Sequence, residues 1–267
     1  MKIFCNLTAV ILISLSLNNI AMKLKILIFC ILTILFYSCN NKCYVSFSGK
    51  ITNAENKKLY IAVVTFDGSE IIDSAKLTTN SFKFCIDKQN HKCNQLKDSP
   101  LMFKLFISSE NGIYTIVNEN EDIYIEADAN NLIKSYSISG GTEAFLIHQL
   151  DSALLTFINS VDELYLLYEN NINIDSVKDK IESSYIVLMQ NHRTFLENFI
   201  EEHPNNMASY VAFFQSYNRA RFFDKEKDIN ILRKINSNLS KKYPESEYVK
   251  SMILYTNNLE KYNKFSE

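Results

Sequence analysis

The side chains in this sequence that could do chemistry are its six cysteines, its four histidines and a few neighbouring carboxylates. Cys85 and Cys93 stand eight residues apart. Phe82, Phe84 and Ile86 share one parity, so Cys85 falls with Lys83 on the wetter face of a strand, and Cys93 follows in a polar loop. Outside the cytoplasm such a pair can oxidise, and closing so small a loop would stabilise the fold by about 2.5 kcal/mol in the chain-entropy view. Two reduced cysteines, one partly buried, are the other reading. A catalytic dithiol fits poorly, because such pairs sit two residues apart at a helix start where the thiol pKa is lowered. With His91 the spacing becomes C-x5-H-x-C, which matches no familiar zinc site and leaves the fourth ligand unnamed.

The remaining candidates read as structure. His148 stands near Asp151, but no Ser or Cys nucleophile is framed to complete a triad. His192 falls on an apolar helical stripe, where a buried, hydrogen-bonded imidazole is expected, and His203 falls in the last turn, where its cation would favour the helix dipole. Asp73-Ser74 reads as a buried Asp whose oxygens take nearby backbone N–H groups. Asp162-Glu163 and Glu201-Glu202 are helix neighbours about 100° apart, hence solvated faces and not a glycosidase pair. No catalytic residue, metal site or cofactor site is assigned, and an enzyme is not expected.

The other cysteines belong to the N-terminus. Residues 1–38 hold Lys2, Lys23 and Lys25 and no acid, and the apolar run from Ile26 to Tyr37 is broken only by Thr33. A basic start, a short apolar middle and a small residue, Ser38, before Cys39 make the pattern of an export signal. The run is short for a spanning helix, which needs about 20 apolar residues; an uncleaved signal anchor with an ordinary Cys39 is the other reading. The pattern resembles bacterial lipoprotein signals, which implies cleavage before Cys39, attachment of diacylglycerol to its sulfur and palmitate-type acylation of the new amino group. Several acyl chains hold a protein on a bilayer where one binds reversibly. Cys5 and Cys30 would be discarded. A second apolar run, Ala9 to Leu17, lies upstream, and Met22 is the expected start.

Cleavage leaves 229 residues, enough for two small domains, and removes three lysines from a chain of 28 basic and 30 acidic residues, for a net charge of −5. That argues against a nucleic-acid partner. Five glycines and three prolines exclude a linker or disordered tail. With 15 Tyr and 18 Phe but no Trp, the aromatic residues fall mostly on apolar parities and stripes, so they read as core and not as a sugar platform.

From Tyr44 to Ile138 short alternating runs between polar turns predict eight strands: 45–51, 59–66, 70–77, 81–86, 101–107, 113–117, 123–127 and 134–138. Asn53, Asn56, Asp67-Gly68, Asn80, Asn111-Gly112 and Asn118–Asn120 carry the turns. After Gly140-Gly141 the period changes to three and four. A long helix through Ile147–Tyr168 and another through Ile181–Phe199, each at least roughly 30 Å long at about 1.5 Å per residue, predict a helical hairpin. Ser176 to Asp179 has capping-box spacing, and Pro204 ends the second helix. Shorter helices are expected over 207–218, 225–239 and 245–262. The fold class is therefore α+β: an antiparallel β-sandwich or partly open barrel over 39–139, then a domain of about five helices over 140–267.

"FSGKITNAENKKLYIAV", "IIDSAKLTTNSFKF" and "SISGGTEA" resemble an uncharacterised domain found near the N-terminus of lipoproteins of Gram-negative gut-type bacteria, ahead of a thioredoxin-like thiol-disulfide oxidoreductase domain. Asn80-Ser81 stands where that pattern often has glycine. The thioredoxin-like domain is not seen, and the chain holds no Cys-x-x-Cys. The function expected is a non-catalytic binding or interaction module, lipid-anchored through Cys39 to the periplasmic face of the cell envelope. The outer membrane is favoured because Asn40 is not the Asp that retains many lipoproteins on the inner one. The resemblance implies a protein partner of thioredoxin-like type; the alternatives are a part in thiol-disulfide exchange, as a redox protein through Cys85 and Cys93 or as an accessory, and, separately, capture of glycans or peptides in nutrient uptake.

Overall fold

The computed structural model of the chain describes residues 43–65, 68–87, 100–108, 111–170 and 174–266; the N-terminal segment with Cys39, and the stretch holding His91 and Cys93, lie outside them. From Cys43 onward the chain forms one compact unit. Its eight long strands are β1 (Val45–Thr52), β2 (Lys58–Thr65), β3 (Gly68–Lys76), β4 (Ser81–Ile86), β5 (Leu101–Ser108), β6 (Asn111–Val117), β7 (Asp122–Asp128) and β8 (Ser137–Gly140). They form two four-stranded sheets, ordered β4-β1-β7-β8 and β3-β2-β5-β6, that do not close into a barrel. Alternation places the core: β1 buries Val45, Phe47, Gly49 and Ile51, and β4 buries Phe82, Phe84 and Ile86. Across the gap Phe47 meets Phe103 edge-on at 5.0 Å. Each such fully buried ring contributes about 2–3 kcal/mol by removal from water.

One pairing departs from the antiparallel expectation. β7 runs parallel to β1, with Gly49 beside Ile125. A parallel neighbour needs a long crossover, and here the chain between the two strands builds β4 and the whole second sheet. A Cβ on Gly49 would lie 1.8 Å from the Ile125 carbonyl oxygen, so this contact admits only glycine.

In the turns asparagine does what glycine does elsewhere. The five described non-glycine residues with positive φ are Asn53, Asn56, Asn80, Asn120 and Asn218, a residue type that visits the left-handed region more readily than most. Asn80, at φ 57°, thus fills the turn before the aromatic strand without glycine.

The helices are α1 (Leu132–Ser135), α2 (Thr142–Glu169), α3 (Ile174–Glu202), α4 (Met207–Phe214), α5 (Ile229–Lys242) and α6 (Glu247–Ser266), with a small hairpin of β9 (Ser216–Tyr217) and β10 (Ala220–Arg221) between α4 and α5. The strand expected over 134–138 is displaced: Asp128 accepts from the Asn130 and Asn131 N–H groups, which turns the chain into α1, and the strand begins at Ser137. The helix expected over 207–218 stops at Phe214, because Gln215 is extended. Before α4 and α6 the same turn recurs, Asn206 N–H to His203 O and Ser246 N–H to Tyr243 O, each at 3.1 Å.

α2 packs on β6 and pairs with α3, burying Ala144, Leu146, Ile147, Leu150 and Phe157. The Tyr248 hydroxyl of α6 donates to the Val64 carbonyl of β2. By length and composition α2 could cross a membrane, but its first half belongs to the core, whereas Tyr165, Leu166 and Tyr168 in its last turns are exposed.

Candidate functional site

Antiparallel pairing sets Ser46 opposite Cys85, and the Tyr44 N–H reaches Ile86 O at 2.7 Å. The chain before β1 is thereby folded against β4. Cys43 and Cys85 lie with Cα atoms 5.2 Å apart and are joined by a disulfide, within ordinary bonding range. The expected Cys85–Cys93 bond is therefore corrected: the partner of Cys85 is Cys43. Nearness in sequence favoured Cys93, but strand pairing brought in a residue 42 positions away. Cys85 does share the exposed parity of β4 with Lys83.

The polar candidates are tied into the structure. Asp73 is exposed on the edge strand β3, not buried, and its carboxylate accepts the Ser74 N–H at 2.7 Å. The Tyr136 hydroxyl donates to Asp151 at 2.6 Å, and His148 Nε2 donates to the Tyr136 carbonyl at 3.0 Å. Burial pushes the Asp151 carboxyl above its ordinary range, against the lowering effects of the Tyr136 hydrogen bond and His148. This trio pins the start of β8 to α2. His192 is buried, and its Nε2 donates to Gln215 Oε1 at 2.7 Å, while Gln215 Nε2 donates to Leu150 O at 3.2 Å. Burial among Phe157, Phe195 and Phe222 lowers the imidazole pKa, against the raising effect of the Gln215 hydrogen bond. The same relay draws Gln215 out of α4.

Glu143 was not foreseen. Buried at the start of α2, it accepts from Asn206 Nδ2 and from the Met207 and Ala208 N–H groups at 3.0, 3.0 and 3.1 Å. A carboxylate from one helix thus caps the first turn of another. Burial raises its pKa, and these hydrogen bonds oppose the rise.

The arrangement best suited to binding lies between α4, the β9–β10 hairpin and α6. Phe213 stacks on Phe223 at 5.1 Å and 10°, Phe214 meets Phe213 at 5.1 Å, and Tyr255 of α6 meets Phe214 at 5.6 Å. These rings floor an inner cleft of about 200 Å³. It continues into an outer cleft of about 380 Å³, and Arg221, Phe223 and Lys225 line both. Beneath them Arg193 of α3 lies over the Phe223 ring at 4.8 Å and binds both oxygens of Asp228 at 2.8 and 3.0 Å, Glu197 at 2.9 Å and Phe222 O at 2.9 Å. That guanidinium fixes the loop and is fully engaged. By contrast, Arg219, Arg221 and Lys225 have no carboxylate within ion-pair reach among the described residues. The nearby Asp224 instead accepts the Glu226 and Lys227 N–H groups, which hold its carboxyl below the ordinary range. Sequence reading passed over this site, although "RARFFDK" displays both the cations and the rings, because the stretch fell between two expected helices.

A second aromatic set crosses the outer face of the β3-β2-β5-β6 sheet. Tyr60 and Phe106 stack at 5.4 Å and 19°, Lys58 lies over Tyr60 at 5.1 Å, and Lys104 lies over Phe106 at 5.1 Å. No group of three or more metal-binding side chains occurs among the described residues.

No curated protein matches the chain. Residues 45–144, from β1 into the first turn of α2 and including all three stretches that carry the resemblance, match the family model described as a domain of unknown function, DUF4369.

Proposed function

We propose that this chain is a lipid-anchored, non-catalytic binding module of the cell envelope. Signal cleavage before Cys39 and acylation of that residue attach it to the periplasmic face of a membrane, the outer one on the Asn40 criterion, and the folded body presents its cleft to a ligand or partner. The observation that carries this reading is the Cys43–Cys85 disulfide, four residues beyond Cys39. Disulfides persist in oxidising compartments and are rare in the cytosol, so the bond and the signal pattern point the same way. The bond also explains how a tether would be held. Cys39 to Cys43 spans at most about 14 Å of extended chain, and a pull on it would be shared by β1 and β4 and would not peel β1 alone.

The test is metabolic labelling with palmitate in a bacterial host that processes lipoproteins, followed by fractionation. The wild-type chain should carry label and sediment with membranes, and Cys39→Ala should carry none. Label retained by Cys39→Ala, or an unlabelled wild-type chain in the cytosol, contradicts the reading.

A further inference from the structure

We propose that the inner cleft between α4, the β9–β10 hairpin and α6 binds a small anion carried on a flat ring. The inference rests on the reading of the body as a binding module, but not on its lipid. Four observations lead to it. The charged side chains lining this cleft are Arg221 and Lys225, both cations, while Asp224 and Glu226 line only the outer cleft. Neither cation has an ion-pair partner among the described residues, so an incoming anion would not have to displace a protein carboxylate. The apolar wall is aromatic and open to solvent at Phe214 and Tyr255, which are 39% and 36% exposed. The end of the hairpin and the loop that follows, which carry the cations, are braced from below by Arg193 through Phe222 O and Asp228, so part of the ordering that binding usually requires is already done.

Charge and ring would act together. A guanidinium recognises carboxylate or phosphate oxygens in a bidentate fork and a lysine adds a point charge, while a flat ring fits the edge-on packing that Phe214 and Tyr255 already make with each other. At about 200 Å³ the cleft is smaller than drug-sized pockets, so it suits one ring with one acidic group. Arg219 lines only the outer cleft, where it would draw the anion in without contacting it.

The probe is phenyl phosphate, titrated calorimetrically into the full-length protein in mild detergent beside its two halves, inorganic phosphate and phenol. Phenyl phosphate should bind saturably and at least tenfold more tightly than either half. The double variant Arg221→Gln/Lys225→Gln should lose at least tenfold, and Phe214→Ala should bring phenyl phosphate down to the level of inorganic phosphate. All three positions are at least partly exposed, and unchanged thermal unfolding identifies variants that keep the fold. Absence of saturable binding below about 10 mM, equal affinity for phenyl phosphate and phosphate, or full affinity in a folded double variant overturns the proposal. Failure here with palmitate label still on Cys39 sinks only the cleft, and binding without label sinks only the anchor.

Discussion

Breaking the Cys43–Cys85 bond should cost most of what a long cross-link contributes. The residues are 42 apart, and a closed loop of that length restricts the unfolded chain by about 4 kcal/mol in the chain-entropy model. The effect acts on the unfolded state, so the native body should survive with its secondary structure intact and yield earlier to denaturant. With a urea slope of roughly 2–3 kcal/mol/M for a chain this size, the midpoint should fall by about 1.3–2 M in Cys85→Ser. Circular dichroism of purified protein in urea, with and without dithiothreitol, measures it. Reduced wild type and Cys85→Ser should coincide, and Cys93→Ser should match oxidised wild type. If Cys93→Ser lowered the midpoint and Cys43→Ser did not, the strand register around Cys85 would be wrong and the short loop would be the real one.

Other perturbations probe the parts separately. Gly49→Ala should destabilise by about 3 kcal/mol or more, because its Cβ would lie 1.8 Å from the Ile125 carbonyl oxygen; a urea midpoint near wild type would deny the parallel β1–β7 contact. Asn80→Gly should leave stability within about 0.5 kcal/mol, whereas Asn80→Ala should cost about 1–2 kcal/mol at φ 57°, and equal effects would reject the left-handed turn. The folded pKa of His192 lies below its ordinary value, so the unfolded chain takes up the proton first and stability should drop as pH falls from about 6.5 toward the lowered value. His192→Gln should flatten that part of the urea-midpoint profile between pH 7 and 5. Glu143 has the opposite linkage, since its raised pKa means stability falls as pH rises from the ordinary carboxylate value toward the folded one. Glu143→Ala should cost about 3 kcal/mol through the donors of α4 left unpaired, measurable in the same assay.

Local pattern made much of the architecture legible. The alternation in Val45–Thr52 and Ser81–Ile86 placed both strands and their buried parities, and the three-four stripe through Ile147, Leu150, Leu154 and Phe157 placed α2 against the core. What escaped was long-range. Nothing in the residues of β7 says that it runs parallel to β1, because pairing depends on the path of the intervening sheet. The partner of Cys85 escaped for the same reason. Lys134 fell in the strand expected over 134–138, yet the turn at Asp128 wound that stretch into α1. The cleft was illegible as a site because its parts come from separate elements: rings from α4 and α6, cations from the hairpin and the following loop, and the bracing guanidinium from α3. Only the hairpin, which formed where a helix end was expected, puts Arg221 beside Tyr255 in one cleft.

Mass spectrometry of the protein isolated from membranes and digested without reduction by a glutamyl endopeptidase tests the central claim most directly. An N-terminal peptide should begin at Cys39, carry acyl chains, and remain joined through Cys43 to the peptide containing Cys85. A mature N-terminus at Met1 or Met22, or a Cys39 without lipid, would contradict the account.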